Sequence, residues 1–407
     1  MTHLRVDGGK LMEQLEALGA VGRREDGSCC RLALTDEDRQ GRDLVVSWMR
    51  ELGLEVRVDR IGNILALRPG REDLPPVMTG SHIDTVATGG KYDGNYGVLA
   101  GLEVVRTLDR AGIRTRRPLV VAVFTNEEGA RFQSDMLGSM VYAGAMGLEE
   151  ALAWPAADGP TLGAELERIG YAGTLEPGAV VPHAFVELHI EQGPILDHEG
   201  EALGAVERLQ GISWQEVTVR GAANHAGTTP LSLRRDAGLG AARIICFVRD
   251  LARDLGGVGT VGSLRFAPGL VNVIPREAVL TVDLRHPDEG RLREGEARLE
   301  RFLDGLARED GLEVRTRRLV RTEPVVFDPG VVAAVREAAA LLGRQARPMT
   351  SGAGQDAQML ARICPTAMIF VPSIGGVSHS PAERTRPEHL ELGADVLLHT
   401  LLKLAND

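Results

Sequence analysis

Short apolar runs that end in acids or histidines punctuate the first half of the chain. Val120–Phe124 gives way at once to Thr-Asn-Glu127-Glu128-Gly, and PPVMTGSHIDTV and AFVELHIEQGPIL behave likewise. Between them lie stretches with apolar residues at helical spacing. One is TDEDRQGRDLVVSWMRELG, with Thr35 as N-cap, Asp38 at N3 and Gly53 past its end; another is NYGVLAGLEVVRTLDRAG. LEVRVDRIGNILALRP reads as a hairpin about Gly62-Asn63. Alternating strands and helices predict a helix-covered, mainly parallel sheet. Ligands of such sheets sit beyond the carboxyl ends of the strands, where His82, Asp84, Glu127 and Glu128 fall.

The pattern changes near Ser213. Strand SWQEVTVRG, helix LRRDAGLGAARIICFVRDLARD, strands VGSLRF and AVLTVDLRH, helix GRLREGEARLERFLDGLARE and strand LEVRTRRLV follow in order. That βαββαβ order is the ferredoxin-like split unit. FDPGVVAAVREAAALLG then opens a helix with Asp328 as N-cap and Pro329 at N1, and strand–helix alternation resumes. The predicted fold is α/β, with residues 1–212 and 329–407 forming the larger domain and residues 213–328 inserted into it.

Composition narrows the class. A chain of 407 residues exceeds what one core usually serves, which agrees with two domains. With 43% hydrophobic and 25% charged residues it reads as an ordinary soluble protein. No apolar run approaches the ~18 residues of a membrane span, and MTHLRVDGGKLMEQLEALG lacks a signal-peptide core. A net charge of -11 argues against nucleic acid as a partner but leaves room for a local arginine that grips a small anion. Cys29, Cys30, Cys246 and Cys364 form no C-x-x-C pair, and the vicinal pair is poorly placed for a disulfide. Scattered thiols predict a reducing, cytoplasmic setting.

Metal-suited side chains recur at separated points. They are His82 and Asp84, Asp93, Glu127 and Glu128, then Glu187, His189 and Glu191, and finally His379. Carboxylates with imidazoles suit zinc, manganese or cobalt, and paired ions hydrolyse amides and esters. Each point has a plainer reading. His82 and Asp84 share a strand face that water could wet. Asp93 sits among turn glycines. Glu187, His189 and Glu191 alternate with Leu188 and Ile190, the signature of a half-exposed strand. Ser380 and Glu383 make a capping box with Pro381 at N1, leaving His379 just outside a helix. The coincidence of all five at ends of one predicted sheet favours a site, because a metal lets crowded carboxylates coexist. Rival motifs fail: GAGQDA has no apolar strand before it, no phosphate loop is complete, and no G-x-S-x-G occurs.

GSHIDTV, DGNYGVLAG, FTNEEGARF, ELHIEQGP, VTVRGAANHAGTTPLSLRRDA, NVIP, DLR, SGAGQDA and IFVPSIGGVSHSPAE together resemble the M20 metallo-amidohydrolase family. HIEQGP and ANHAGTTP resemble its hydantoinase/carbamoylase subfamily. That group includes N-carbamoyl-L-amino acid hydrolases, β-ureidopropionases and allantoate amidohydrolases. The resemblance implies a metal-dependent hydrolase of ureido C–N bonds in small carboxylate substrates, with two divalent ions per subunit (Zn2+, Mn2+ or Co2+). It implies that His82 and His189 each serve one metal, that Asp93 bridges, and that Glu128 and His379 complete the second site. The division between ions stays open. Asp84 would orient His82, and Glu127 would be the general base. Arg285 and Asn272 would grip the substrate carboxylate, His225 would polarise the carbonyl, and Gln192 and Gly354 would line the pocket. The inserted domain would serve as lid and homodimer contact. Gln355 stands where the family usually has histidine, so substrate identity is less fixed than metal binding. Another class of reading, a non-catalytic scaffold of the same fold, has no use for an acid at position 127.

Overall fold

The computed structural model describes residues 4–407. Its strands, in chain order, are β1 (Glu55–Val58), β2 (Ile64–Arg68), β3 (Val77–His82), β4 (Leu119–Phe124), β5 (Ala184–Ile190), β6 (Gly204–Leu209), β7 (Gly211–Arg220), β8 (Val258–Thr260), β9 (Leu264–Ala267), β10 (Glu277–His286), β11 (Glu313–Thr322), β12 (Val325–Val326), β13 (Arg347–Ser351) and β14 (Thr366–Val371). They divide between two compact units, residues 1–207 with 327–407, and residues 208–326. The chain crosses between the units at β6 and β12, which pair antiparallel, a few residues before the boundary at Ser213 that the sequence suggests.

In the larger unit the strands run in the order β1-β2-β4-β3-β5-β14-β6, with β13 also on β6. The centre is parallel: β4 with β3, β3 with β5, and β5 with β14. The β1, β2 and β6 flanks are antiparallel. Every residue of β3, β4, β5 and β14 is buried, as strands covered on both faces must be. Helix Asn95–Arg110 packs on β3, and helices Pro329–Leu341 and Pro387–Leu404 pack on each other and on β14. Helix Asp36–Glu51 starts at Thr35, whose side chain accepts from the Asp38 amide. The Asp38 carboxylate in turn takes the Leu34 amide and the Arg42 Nε, each at 2.8 Å. Asp328 caps helix Pro329–Leu341 through the Gly330 and Val331 amides.

Two local expectations give way. β5 is buried throughout because helices Asn95–Arg110, Asp356–Leu360 and Pro387–Leu404 pack on it, so Glu187 and His189 lie inside rather than on a wet face. Ser380–Arg386 forms turns, not a helix; the next helix begins at Pro387. GAGQDA follows a strand, β13, but RPMTS is of mixed polarity and largely exposed or half-buried, in keeping with the expectation that no apolar strand precedes it.

In the 208–326 unit β7 pairs antiparallel with both β10 and β11, and β10 carries β8 and β9 on its other side. The strand expected over VGSLRF is β9, and a further short strand, β8, precedes that segment, so the unit's sheet has one strand more than βαββαβ. β10 alternates strictly, sending Ala278, Leu280, Val282 and Leu284 into a core under helices Ala237–Leu255 and Glu289–Glu309. Asp283 and Arg285 therefore share the opposite face.

Candidate metal centre and active site

Parallel pairing of β3, β4 and β5 puts their carboxyl ends on one edge of the sheet. His82 ends β3, Glu127 and Glu128 follow β4, and His189 is one residue from the end of β5. Asp93 lies in the loop that enters helix Asn95–Arg110, and His379 in the loop after β14. The Asp93 loop closes tightly because Gly94, at φ 65°, has no side chain; a Cβ there would lie 2.4 Å from the His82 ring.

The side chains form two trios that share Asp93. In one, His82 Nε2 and His189 Nε2 lie 3.6 and 3.2 Å from Asp93 Oδ1. In the other, His379 Nε2 lies 3.3 Å from both Asp93 Oδ2 and Glu128 Oε2. Ligand atoms within each trio are all within 4.8 Å of one another. His82 Nδ1 bonds the Asp84 carbonyl and His189 Nδ1 the Ile190 carbonyl, both at 2.9 Å. A carbonyl only accepts, so Nδ1 carries the proton in each ring and Nε2 offers its lone pair toward Asp93. His82 Nε2 is buried without a hydrogen-bond partner. Facing lone pairs, an orphaned imidazole nitrogen and a shared carboxylate are what dications accommodate, so the residues fit two such ions.

Charge tells the same story. Burial drives Glu127 well above the usual carboxylate range, with His82 pulling it back and Asp356 and Glu128 adding to the rise. Burial, then Asp93, pushes Glu128 to about 8. Burial would lower His82, but Glu127, Asp93 and Asp84 raise it well above the usual histidine value. Burial also disfavours an ionised Asp93, yet the imidazoles of His189, His379 and His82 gathered around it hold it well below the carboxylate range. Hydrogen bonding to Asp93 lifts His379 to about 9 against its partial burial.

The two acids after β4 converge through a turn that begins earlier than Gly129. Asn126, at φ 55°, and Gly129, at φ 62°, are both left-handed. The Asp84 carboxylate accepts the amides of Glu127 and Glu128, each at 3.2 Å. That differs from the expectation that this carboxylate orients His82. It lies 4.0 Å from Nδ1, and the Asp84 backbone carbonyl makes the bond instead. Glu127 belongs to neither trio, though its Oε2 is 3.6 Å from His82 Nε2.

Gln192 Nε2 donates to Asp93 Oδ2 at 2.8 Å, and its Oε1 accepts from Gln355 Nε2 at 2.7 Å. Gln355 is thus buried and two bonds from the shared carboxylate. Gly354 stands beside Met136, where a Cβ would come within 3.2 Å of its terminal methyl. The other expected substrate contacts belong to the 208–326 unit. His225 is exposed; its Nδ1 accepts from the Gly227 and Thr228 amides, which leaves Nε2–H as an outward donor. Asn272 accepts from the Ala226 amide through its backbone carbonyl. Arg285 bonds Asp283 through Nε and Nη2 and stands 5.7 Å over the Trp214 ring.

Three residues that the sequence left out of the site belong beside it. Asp356 is fully buried, and its carboxyl is pushed well above the usual range by burial and then by Glu187. Glu383 and Ser378 hydrogen-bond around Asp93. The signal for Glu383 lies in SHSPAE itself, but its spacing also satisfies a capping box, and the local reading prevailed.

Known proteins are similar to this chain. The family model described as peptidase family M20/M25/M40 matches residues 78–403. An N-carbamoyl-L-amino-acid amidohydrolase of Rhizobium meliloti is 44% identical, over 98% of this chain and 97% of its own. Its counterpart in Geobacillus stearothermophilus is 42% identical over 98% and 99%. The crystal structure of a hydantoinase/carbamoylase family amidase from Burkholderia multivorans superposes with a TM-score of 0.97 at 46% identity, covering 99% of each chain. The chain belongs to the M20/M25/M40 peptidase family, and within it to the hydantoinase/carbamoylase amidases.

Proposed function

We propose that this protein hydrolyses the ureido C–N bond of N-carbamoyl-L-amino acids with two divalent ions (zinc, manganese or cobalt). His82, His189 and Asp93 would hold one ion, and Asp93, Glu128 and His379 the other, with Asp93 as bridge. When bound, the ions would supply Lewis acidity at the ureido carbonyl and lower the pKa of water toward about 7. Glu127 takes the proton of the attacking water and delivers it to the departing nitrogen. One water converts R–NH–CO–NH2 to R–NH2, carbon dioxide and ammonia. Glu127 carries this reading: a buried acid beside both trios and a member of neither is what a proton carrier requires, and a silent scaffold has no need of it.

Family resemblance supports the following reading of the substrate contacts. Arg285, with Asn272, binds the substrate carboxylate, for which a planar guanidinium suits best. His225 polarises the carbonyl, a role its Nε2–H tautomer supports. Gln192 and Gly354 line the pocket, and Asp84 holds the amides of both acids. The protein acts as a cytoplasmic homodimer joined through the inserted unit. Support for the dimer comes from Leu231, Leu233, Leu270 and Val271, all more than half exposed there; support for the location comes from four unpaired thiols.

Ammonia release is the test, across N-carbamoyl-L- and D-amino acids, 3-ureidopropionate, allantoate and acyl amino acids, with each of the three metals. Preference for an N-carbamoyl-L-amino acid is expected; activity confined to acyl or peptide substrates would refute the substrate class. Arg285→Ala is expected to raise KM for carboxylate substrates while leaving metal content intact. Unchanged kinetics would show that the grip lies elsewhere. Light scattering reads the dimer directly.

A further inference from the structure

Glu383 sits between exposed Pro381, Ala382 and Arg384, yet is only 4% exposed itself. No helix follows Ser380, so capping does not account for it. Its Oε1 accepts the backbone amides of Tyr92 and Asp93, at 3.0 and 3.3 Å. Its Oε2 accepts the Ser378 hydroxyl at 2.9 Å, and the same hydroxyl lies 3.1 Å from Asp93 Oδ2. A closed ring results: Asp93 backbone, Glu383, Ser378, Asp93 side chain. It joins the loop carrying Asp93 to the loop carrying His379.

Gly90 shows that the pocket for this carboxylate is built in. A Cβ there would lie 2.1 Å from Glu383 Oε1 and 2.3 Å from Cδ. Gly90 is not among the left-handed glycines, so backbone conformation does not demand a glycine at that position. The room is for Glu383.

We propose that Glu383 is a positioning residue that delivers Asp93 and His379 together as metal ligands. It fixes the backbone of the shared carboxylate and, through Ser378, the residue before His379. Besides the clasp, the two loops meet through the Thr88 hydroxyl, which donates to the His379 carbonyl at 3.4 Å, and through the Asp93–His379 pair that the ions themselves would engage. Partners that orient ligands in this way typically contribute 10–100-fold to metal affinity. The inference rests on the two-ion reading above.

Metal-stripped wild type, Glu383→Ala, Glu383→Gln and Gly90→Ala are titrated with Mn2+ and Zn2+ against a chromogenic chelator. Stoichiometry is read by elemental analysis, and folding of the stripped proteins by circular dichroism and melting temperature. His379 belongs only to the trio with Asp93 and Glu128, so Glu383→Ala should weaken one of the two binding steps about 10–100-fold and the other less. Glu383→Gln should recover much of the loss, since an amide oxygen still accepts both backbone amides. Gly90→Ala, which displaces the carboxylate without removing it, should weaken the same step, and it decides the matter if Glu383→Ala does not fold. A lower melting temperature with both binding steps unchanged would reduce Glu383 to a structural role and overturn the proposal. Wild type that retains no ion would overturn the two-ion reading itself, a result visible before any variant is compared.

Discussion

Replacing Glu127 with glutamine isolates proton transfer from metal binding. The substitution is isosteric, and Glu127 belongs to neither trio of ligand atoms. Its backbone bond to Asp84 is independent of the side chain. Both ions should therefore remain. Positioned acid–base groups contribute about 10²–10⁴ in rate, or roughly 3–5 kcal/mol at 1.36 kcal/mol per decade. The loss should fall on kcat with little change in KM, because glutamine occupies the same volume and only its ability to take a proton is gone. The stripped variant should melt no lower than stripped wild type, since the change removes one of the acids crowded at the site with Asp93, Glu128 and Asp356. Ammonia release at saturating substrate, paired with elemental analysis of the same sample, measures both quantities. Turnover within about threefold of wild type, with both ions present, would remove Glu127 from the chemistry; a parallel loss of metal would make it a ligand instead.

Stripping the protein with a chelator should lower its melting temperature, because each site filled at 100 times its dissociation constant stabilises by about 2.7 kcal/mol. Added Mn2+ should restore it in a concentration-dependent way, and an indifferent melting curve would exclude a structural contribution from metal. Arg42→Ala should destabilise the larger unit by about 3–5 kcal/mol in urea unfolding. The side chain is 1% exposed and pairs with the fully buried Asp38 at 2.8 Å, so its loss strands a charge; a cost below about 1 kcal/mol would contradict this. Burial pushes the Asp395 carboxyl up to about 6, with the Val6 amide and Arg5 pulling it down. The folded state therefore binds this proton more tightly than the unfolded chain, whose carboxyl titrates near 3.9. Its contribution to stability is present at low pH and fades as pH rises through about 6, so Asp395→Asn should flatten the decline between pH 4 and 6. An identical slope in the variant would show that other groups set it.

The sequence alone determined the periodic and local features. Apolar runs ending in acids specify parallel strands with polar carboxyl ends. Thr35 and Asp328 specify helix starts through bonds to amides two or three residues away. His82, Asp93, Glu127, Glu128, His189 and His379 stood out because several polar, ligand-type residues recur where such strands stop. Tertiary structure decided everything that depends on distant neighbours. β5 reads as half-exposed by its alternation, and only the helices that the fold packs over it bury Glu187 and His189. The choice of imidazole nitrogen follows from the Asp84 and Ile190 carbonyls, which no side-chain pattern records. Glu383 satisfies a capping box in sequence but takes amides from Tyr92 and Asp93, far earlier in the chain. A hydrogen bond needs proximity in space, and spacing along the chain reports proximity only within one helix, strand or turn; the fold brings the rest together.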